Sequence, residues 1–561
     1  MSDNRGRDGG FRGGRKMDRK PGVGGGEKRE YKPRGEKPAF GEKKFAPRND
    51  RPMGDKKFTP RGDKPAFSEK REFKPHGDRP MGERKPFAPR GDKPAFGDKR
   101  PMRPHGDRAP VKRQPNLAPR RVALETLLDV SRSDAYASLA MDKRLAQAMM
   151  GQRDRAFVTQ LVYGTLENRI NLDWRIDQYL TGENEMEPTI REILRMGAYQ
   201  LFFLDRVPDM AAVNESVSLA RAMGFEALTG LVNAVLRNMI RGKDDLVFPK
   251  PAEDPIKYLS IMFSVPRELA RMLVEAYGEH EALEILRYRP KERPVTVRVN
   301  YLRCDDARIR SLFADDELEF TPGIVPGTYK VQQAGDMTRM RAFQNGLFTI
   351  QGESSVIAAR MVGAKPGQTV LDACAAPGGK TAVLSEMMND TGRVYAWDTH
   401  AHRVELIRGT ANRLKLENVR PAVKDAAAPR PDMDMTIDAA LIDAPCSGTG
   451  VMLEKPDVKY RVSRHGVESL MRTQSEILDA VAPMVKVGGT LVYSTCSILP
   501  QENAMQVRAF LDRHPEYEVA AMAQELPEAL AAHEGELGLQ MLAHRDGTDG
   551  FYVCRMRRVK A

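Results

Sequence analysis

Two cysteines each follow a short apolar segment that has the composition of a β-strand. Cys446 lies in DAPCSGTG (residues 443–450) and Cys496 lies in YSTCSILPQEN (residues 493–503). A single cysteine is usually a small buried hydrophobic residue, but two at strand ends beside acidic or hydroxyl groups favour a chemical role. A thiolate that adds to C6 of a cytosine makes C5 reactive towards a methyl donor. Asp443 is suited to act as the acid at the N3/N4 edge of the base, and the second cysteine could assist release.

The run LDACAAPGGKT, residues 371–381, leaves a predicted strand and enters a predicted helix. Gly378 and Gly379 allow a ligand to approach the backbone, and the helix N-terminus offers N–H groups to a carboxylate. Asp398 ends the next strand and can accept the ribose hydroxyls of a nucleoside cofactor, whereas Asp425 is a candidate for the adenine amino group. The glycines alone are equally compatible with a tight structural turn. The predicted cofactor loop consists of Cys374, Ala375, Ala376, Pro377, Gly378, Gly379 and Lys380.

These motifs need a scaffold that brings strand ends together. From residue 346 to 561, short apolar runs alternate with helical stretches, which predicts a doubly wound parallel sheet of the Rossmann-like α/β class. Ligands bind at the carboxyl ends of such strands. The runs are TVLDA (369–373), RVYAWD (393–398), AALIDA (439–444) and TLVYST (490–495).

Two further folded regions are expected before this sheet. Residues 116–245 have helical periodicity and predict an all-α bundle. Residues 250–345 are mixed, with Val295, Val297 and Val299 alternating as in a half-buried strand, and predict a small α+β connector.

The first 115 residues differ from the rest in composition. Residues 1–113 contain 34 lysines and arginines against 17 aspartates and glutamates, while the remainder has 55 against 60. This Gly- and Pro-rich repeat has too few apolar residues to fold, so we expect a disordered basic tail. Its interleaved phenylalanines suit loose binding of single-stranded RNA, and the alternative is a purely solubilising tail.

The five cysteines are an odd number in a long chain and form no CxxC pair, which argues against a disulfide scaffold and against a zinc site. We expect a reducing, cytoplasmic location, no metal, and a monomer. The first 30 residues have no apolar segment of a signal peptide, and no run approaches the ~20 apolar residues of a membrane span.

The motifs resemble those of the Nol/Nop/Sun RNA cytosine-C5 methyltransferases over about residues 116–559. ACAAPGGKT is similar to the cofactor signature, DAPCSGTG to the release-cysteine motif, and TCS (495–497) to the nucleophile motif. The resemblance implies S-adenosylmethionine as cofactor. It implies these roles: Cys496 as nucleophile, Cys446 as release cysteine, Asp443 shared by cofactor and base pocket, Asp398 at the ribose, and Asp425 at the adenine.

The bundle resembles the RNA-binding fold of the antiterminator NusB, most strongly in LVNAVLRN (231–238). In the branch that carries such a bundle, the implied substrate is small-subunit (16S) ribosomal RNA. The segment KPDVKY (455–460) resembles a family segment that borders the substrate cleft.

Three alternatives stay open at this point. The same chemistry could act on another ribosomal or transfer RNA cytosine. A DNA cytosine methyltransferase would use the cysteine of its Pro-Cys motif, here Cys446, and Cys496 argues against that. A non-catalytic RNA-binding assembly factor would need only the bundle and the tail.

Overall fold

The computed structural model describes residues 117–133, 135–180, 186–332 and 335–561. The predicted basic tail therefore lies outside the described residues.

The first part of the described structure is a bundle of seven helices. Apolar residues three and four positions apart form its core: Val158, Leu161 and Val162 are fully buried on one face of the third helix. The all-α class expected for this region is confirmed. The helices are α1 (Ala118–Ser133), α2 (Ala137–Gln147), α3 (Gln152–Glu167), α4 (Arg169–Asp177), α5 (Pro188–Phe203), α6 (Asp209–Ala222) and α7 (Thr229–Arg241).

Two helices and a small sheet follow. The helices α8 (Pro255–Phe263) and α9 (Arg267–Arg287) share a hydrophobic core with Ile498 and Leu499, which follow the second cysteine. The mixed α+β character expected for the connector is thus present. The next elements are β1 (Val295–Val299), α10 (Asp306–Asp315), β2 (Phe320–Pro322), β3 (Thr328–Val331), α11 (Arg341–Gln344), β4 (Phe348–Ile350) and α12 (Glu353–Arg360).

The small sheet has the strand order β2-β3-β1-β4, and all three pairings are antiparallel. Val297 and Val299 are buried in its core. Because β4 pairs with β1 through Val299 and Phe348, this sheet extends past residue 345, where the sequence suggested that the connector ends.

The remaining chain forms the Rossmann-like domain predicted from the alternating pattern. Its elements are β5 (Thr369–Asp372), α13 (Gly379–Met387), β6 (Arg393–Asp398), α14 (Ala401–Leu414), β7 (Val419–Val423), β8 (Ile437–Asp443), α15 (Arg464–Val481), β9 (Val485–Thr495), α16 (Ala504–Arg513), β10 (Tyr517–Val519), α17 (Glu528–Ala531), β11 (Glu534–Gly535), β12 (Gly538–Met541), α18 (Ala543–Asp546) and β13 (Phe551–Arg558).

Five strands, in the order β7-β6-β5-β8-β9, are parallel, and β13, β12 and β11 extend the sheet with antiparallel pairings. The chain starts at β5 and winds outward in both directions, so the topological switch lies between β5 and β8. Ligands bind in the crevice at the carboxyl ends of these two strands. The cofactor loop follows β5 and the Cys446 motif follows β8, so both motifs border that crevice.

Within the described ranges, no helix has the length and apolar character needed to cross a membrane.

Candidate active site

The two cysteines meet because β8 and β9 are parallel neighbours. Asp443 lies opposite Ser494 in the register of these strands, so the loops that follow start side by side. The Sγ atoms of Cys446 and Cys496 are 3.2 Å apart, which is within hydrogen-bonding distance for sulfur. Two motifs 50 residues apart in the chain therefore present their thiols to one point.

The two thiols have opposite ionisation tendencies. The hydrogen bond from Cys446 lowers the pKa of Cys496, and the charges of Lys380 and Lys455 act in the same direction against burial and the charge of Asp443. The same hydrogen bond and burial raise the pKa of Cys446. Cys496 is therefore the thiol of the pair that ionises more readily, and Cys446 is the one that more readily keeps its proton.

Asp443, at the end of β8, is held from two sides. Its Oδ2 accepts a hydrogen bond from Lys380 Nζ at 2.8 Å, and its Oδ1 accepts one from Ser494 Oγ at 3.0 Å. Lys380 also approaches Ser355 Oγ and lies over the ring of Phe551. Lys380 belongs to the predicted cofactor loop by sequence, yet its ammonium group points to the acid on the cysteine side of the crevice.

The cofactor loop turns sharply between β5 and α13. Gly378 has φ +102°, and a Cβ there would lie 3.1 Å from Ile407 Cα, so only glycine fits this turn. The Gly378 amide donates to the Ala375 carbonyl, and the Ala375 amide donates to the Trp397 carbonyl at the end of β6. The loop is thereby tied to the neighbouring strand.

The residues around this loop fit a nucleoside with a charged amino-acid tail. The first turn of α13 has free N–H groups for a carboxylate. Asp398 ends β6 with only 5% of its surface exposed; its Oδ1 accepts from the His400 amide, and Arg403 Nη1 lies 3.3 Å from Oδ2. Asp425 follows β7, is exposed, and accepts from the Ala427 amide at 3.0 Å. The two carboxylates thus stand at the carboxyl ends of neighbouring strands, and the strand that ends in Asp398 is the one to which the loop is tied.

Asp372, directly before the loop, was not singled out by its sequence pattern. It is fully buried, and its Oδ2 accepts a hydrogen bond from Thr381 Oγ1 at 2.7 Å. Burial raises the pKa of Asp372 to about 7. Its position inside LDACAAPGGKT was visible in the sequence, but its burial depends on the sheet that surrounds it.

The KPDVKY region has two separate contacts. Lys455 lies close enough to Cys496 to influence its ionisation. The following residues bind the helical bundle: Asp457 Oδ2 accepts from the Ala137 amide at 3.1 Å, and Tyr460 Oη donates to the Leu166 carbonyl at 2.6 Å. We call residues 457–461 the docking segment.

Lys459 adds to the docking segment by donating to the Glu167 carbonyl at the end of α3, at 2.8 Å. Burial and the charge of Arg289 lower the pKa of Lys459 to about 7. The docking segment therefore joins the loop that carries Cys446 to the bundle.

Comparisons with known proteins agree with this architecture. The family described as 16S rRNA methyltransferase RsmB/F matches residues 359–557, and the NusB family matches residues 117–241. A Bacillus subtilis protein named probable ribosomal RNA small subunit methyltransferase B is 36% identical over 78% of this chain and 98% of its own length. The Pectobacterium carotovorum ribosomal RNA small subunit methyltransferase B is 34% identical over 75% of this chain and 95% of its own length.

The crystal structure of PH0851 has the same fold, with a TM-score of 0.68 and 23% identity over 79% of this chain and 99% of that chain. The relatives align over nearly their whole length, including both the bundle and the Rossmann-like domain. The chain therefore belongs to the RsmB/F family of 16S rRNA methyltransferases and is an RNA methyltransferase that uses S-adenosylmethionine.

Proposed function

We propose that the protein methylates C5 of a cytosine in small-subunit (16S) ribosomal RNA through a covalent adduct between Cys496 and C6 of the base. The observation that carries this proposal is the 3.2 Å separation of the two sulfurs, with a lowered pKa at Cys496 and a raised pKa at Cys446. One thiol is thus prepared to attack, while the other stays protonated beside it.

The first step is addition of the Cys496 thiolate to C6, which forms an S–C6 bond and moves electron density towards N3 and C5. Asp443 is the proposed acid at the N3/N4 edge. Lys380 and Ser494 each bind one of its carboxylate oxygens and so fix its orientation. To act as this acid, Asp443 would carry a proton and donate it to N3 as the S–C6 bond forms, neutralising the charge that develops there and taking the proton back on release.

S-adenosylmethionine, when bound, supplies an electrophilic methyl group. We propose that the loop from Cys374 to Lys380 holds it, with Asp398 at the ribose hydroxyls and Asp425 at the adenine. The crevice between β5 and β8 lies between this loop and the cysteines, so the protein can align C5 with the donor.

Release requires transfer of the C5 proton to solvent water and cleavage of the S–C6 bond. The C5–H electron pair restores the C5–C6 double bond, and the S–C6 pair returns to Cys496 as a thiolate. Cys446 is the proposed release residue because its sulfur lies beside the leaving sulfur. The hydrogen bond between the two sulfurs stabilises the thiolate that leaves, and this lowers the cost of breaking the bond.

The ribosomal target is supported by the printed names of the relatives and by the NusB-like bundle. The base has to leave its stack to reach the crevice, at a cost of a few kcal/mol. We therefore expect protein-free rRNA to be a better substrate than assembled small subunits. Equal or higher activity on assembled subunits would contradict that expectation.

The test compares wild type with Cys496→Ala and Cys446→Ala, using radiolabelled S-adenosylmethionine and unmodified small-subunit rRNA. We expect label in 5-methylcytosine with wild type, no label with Cys496→Ala, and a persistent protein–RNA adduct with Cys446→Ala. An adduct on Cys446 instead would reverse the cysteine roles. Label only on another ribosomal or transfer RNA would change the target, and no label on any RNA would favour an assembly factor.

A further inference from the structure

Glu502 is a buried carboxylate in the turn that follows the second cysteine. It lies in the short helical turn Pro500–Glu502 and is fully inaccessible to solvent. Its Oε1 accepts from the Ser447 amide at 2.8 Å and from Gln474 Nε2 at 3.2 Å. Its Oε2 accepts from the hydroxyl groups of Ser447 and Ser497. A buried carboxylate is costly unless it is well hydrogen-bonded, and these four bonds meet that need.

The two serines are the immediate neighbours of the two cysteines. Ser447 follows Cys446, and Ser497 follows Cys496. Glu502 Oε2 therefore accepts from the residue after each thiol, and the serine hydroxyls lie 3.2 Å from each other. One side chain thus connects two loops that come from different strands.

Further bonds make this junction rigid. Thr449 Oγ1 lies 3.0 Å from Ser497 Oγ and accepts from the Ile498 amide. Gly450 donates its amide to the Cys496 carbonyl at 2.9 Å. Because these bonds tie the two loops to each other, the sulfurs have little freedom to separate.

The charge of Glu502 also distinguishes the two thiols. The bond with Cys496 and burial raise the pKa of Cys446 most, and the negative charge of Glu502 raises it further. A negative charge near Cys446 opposes its ionisation and so keeps it a hydrogen-bond donor to Cys496.

We propose that Glu502 is a positioning residue: its carboxylate holds the residues that follow both cysteines, fixes the distance between the sulfurs, and keeps Cys446 as the donor. The consequence for catalysis rests on the proposed function, whereas the consequence for thiol reactivity does not. Glu502 is fully inaccessible to solvent, so it acts through the residues that follow the cysteines and makes no contact with substrate.

The experiment uses the full-length chain without RNA and measures site-resolved alkylation of Cys446 and Cys496 by iodoacetamide between about pH 6 and pH 9, because alkylation follows the thiolate fraction. In Glu502→Gln, we expect Cys496 to react about three- to tenfold more slowly at neutral pH, the effect of weakening one hydrogen bond to a charged group. The ratio of Cys496 to Cys446 modification should fall as well. Glu518→Gln, at an exposed position on β10, is the matched control and should match wild type.

A role in overall stability alone would lower the melting temperature without changing that ratio. S-adenosylmethionine affinity within about twofold of wild type reports that the catalytic domain is folded. If Glu502→Gln does not fold, the double variant Ser447→Ala/Ser497→Ala removes the two hydroxyl donors and keeps the charge. It should slow Cys496 alkylation in the same direction.

Wild-type alkylation profiles in both Glu502→Gln and the double variant would overturn the inference. If the alkylation profile of Glu502→Gln is shifted but the wild-type protein methylates no RNA, the role of Glu502 is supported and the proposed function is contradicted. If wild type methylates rRNA, Glu502→Gln should lower kcat about tenfold or more and leave the KM for S-adenosylmethionine unchanged.

Discussion

Cys446 and Cys496 form a sulfur–sulfur hydrogen bond of 3.2 Å across the ends of two neighbouring parallel strands. The bond lowers the pKa of Cys496 and raises that of Cys446, so two chemically identical side chains differ in how readily they ionise. The difference between them arises from their surroundings and not from their residue type.

Replacing Cys446 with alanine removes the donor to Cys496. We expect the pKa of Cys496 to rise, so that its alkylation at pH 7 slows by about tenfold, the effect of losing a hydrogen bond to a charged group. The pH profile should move to higher pH. Iodoacetamide rates measured by mass spectrometry check this, with Cys304→Ala, in the small sheet's core, as control. If the alkylation profile of Cys496 does not move, the charges of Lys380 and Lys455, and not the bond from Cys446, lower its pKa.

Asp372 should make stability depend on pH. Its folded-state pKa of about 7 lies above the ordinary value of 3.8, so the folded state retains a proton that the unfolded chain releases. The contribution of Asp372 to stability is therefore fully present below about pH 4 and is lost as pH rises towards 7, by up to about 1.4 kcal/mol per pH unit.

Asp372→Asn cannot ionise and should lack this decline while still accepting from Thr381. Urea unfolding of both proteins at about pH 5 and about pH 7 measures the difference. A stability difference between variant and wild type that is the same at both pH values would show that Asp372 is ionised in the folded state.

Gly450→Ala should damage the cysteine loops. A Cβ at Gly450 would overlap the Gly550 carbonyl and crowd the Cys496 carbonyl, so the loop has to shift. We expect a loss of about 1–3 kcal/mol in unfolding free energy and reduced methyl transfer. Gly409→Ala, on exposed α14 with open space around it, is the control and should gain about 0.5–1 kcal/mol. Equal behaviour of the two variants would contradict close packing at Gly450.

Deleting residues 1–113 removes a net charge of +17. We expect the methyl-transfer step to be retained and RNA binding to weaken, because fewer phosphate contacts release fewer counterions. The slope of log affinity against log salt should become shallower, which filter binding at several salt concentrations can measure. If the deletion variant has the same slope as the full-length protein, the tail does not contact RNA phosphates and serves only to keep the protein soluble.

Much of this architecture could be read from local sequence. Apolar runs ending at polar motifs predicted β5, β6, β8 and β9, and the parallel arrangement placed their loops at one edge. The meeting of the two cysteine motifs followed from that arrangement, once β8 and β9 were neighbours.

Other features depend on contacts between distant segments. Glu502 was part of a quoted motif, but its four bonds reach three different parts of the chain and have no local signature. Lys380 was predicted as part of the cofactor loop, and its contact with Asp443 became visible only in the folded structure. The end of the small sheet was also missed, because β4 is short and is defined only by its pairing with β1.

The docking segment follows Cys446 by little more than ten residues. Its Lys459 and Tyr460 side chains donate hydrogen bonds to carbonyl groups at the carboxyl end of α3. A flexible linker would let the bundle search a wide volume around the catalytic domain, but this connection gives it one distance and one orientation. An RNA that contacts both the bundle and the crevice has to span that distance with its target base already turned outward. The fixed spacing between bundle and crevice would then select the substrate by its three-dimensional shape as well as by the bases around the target.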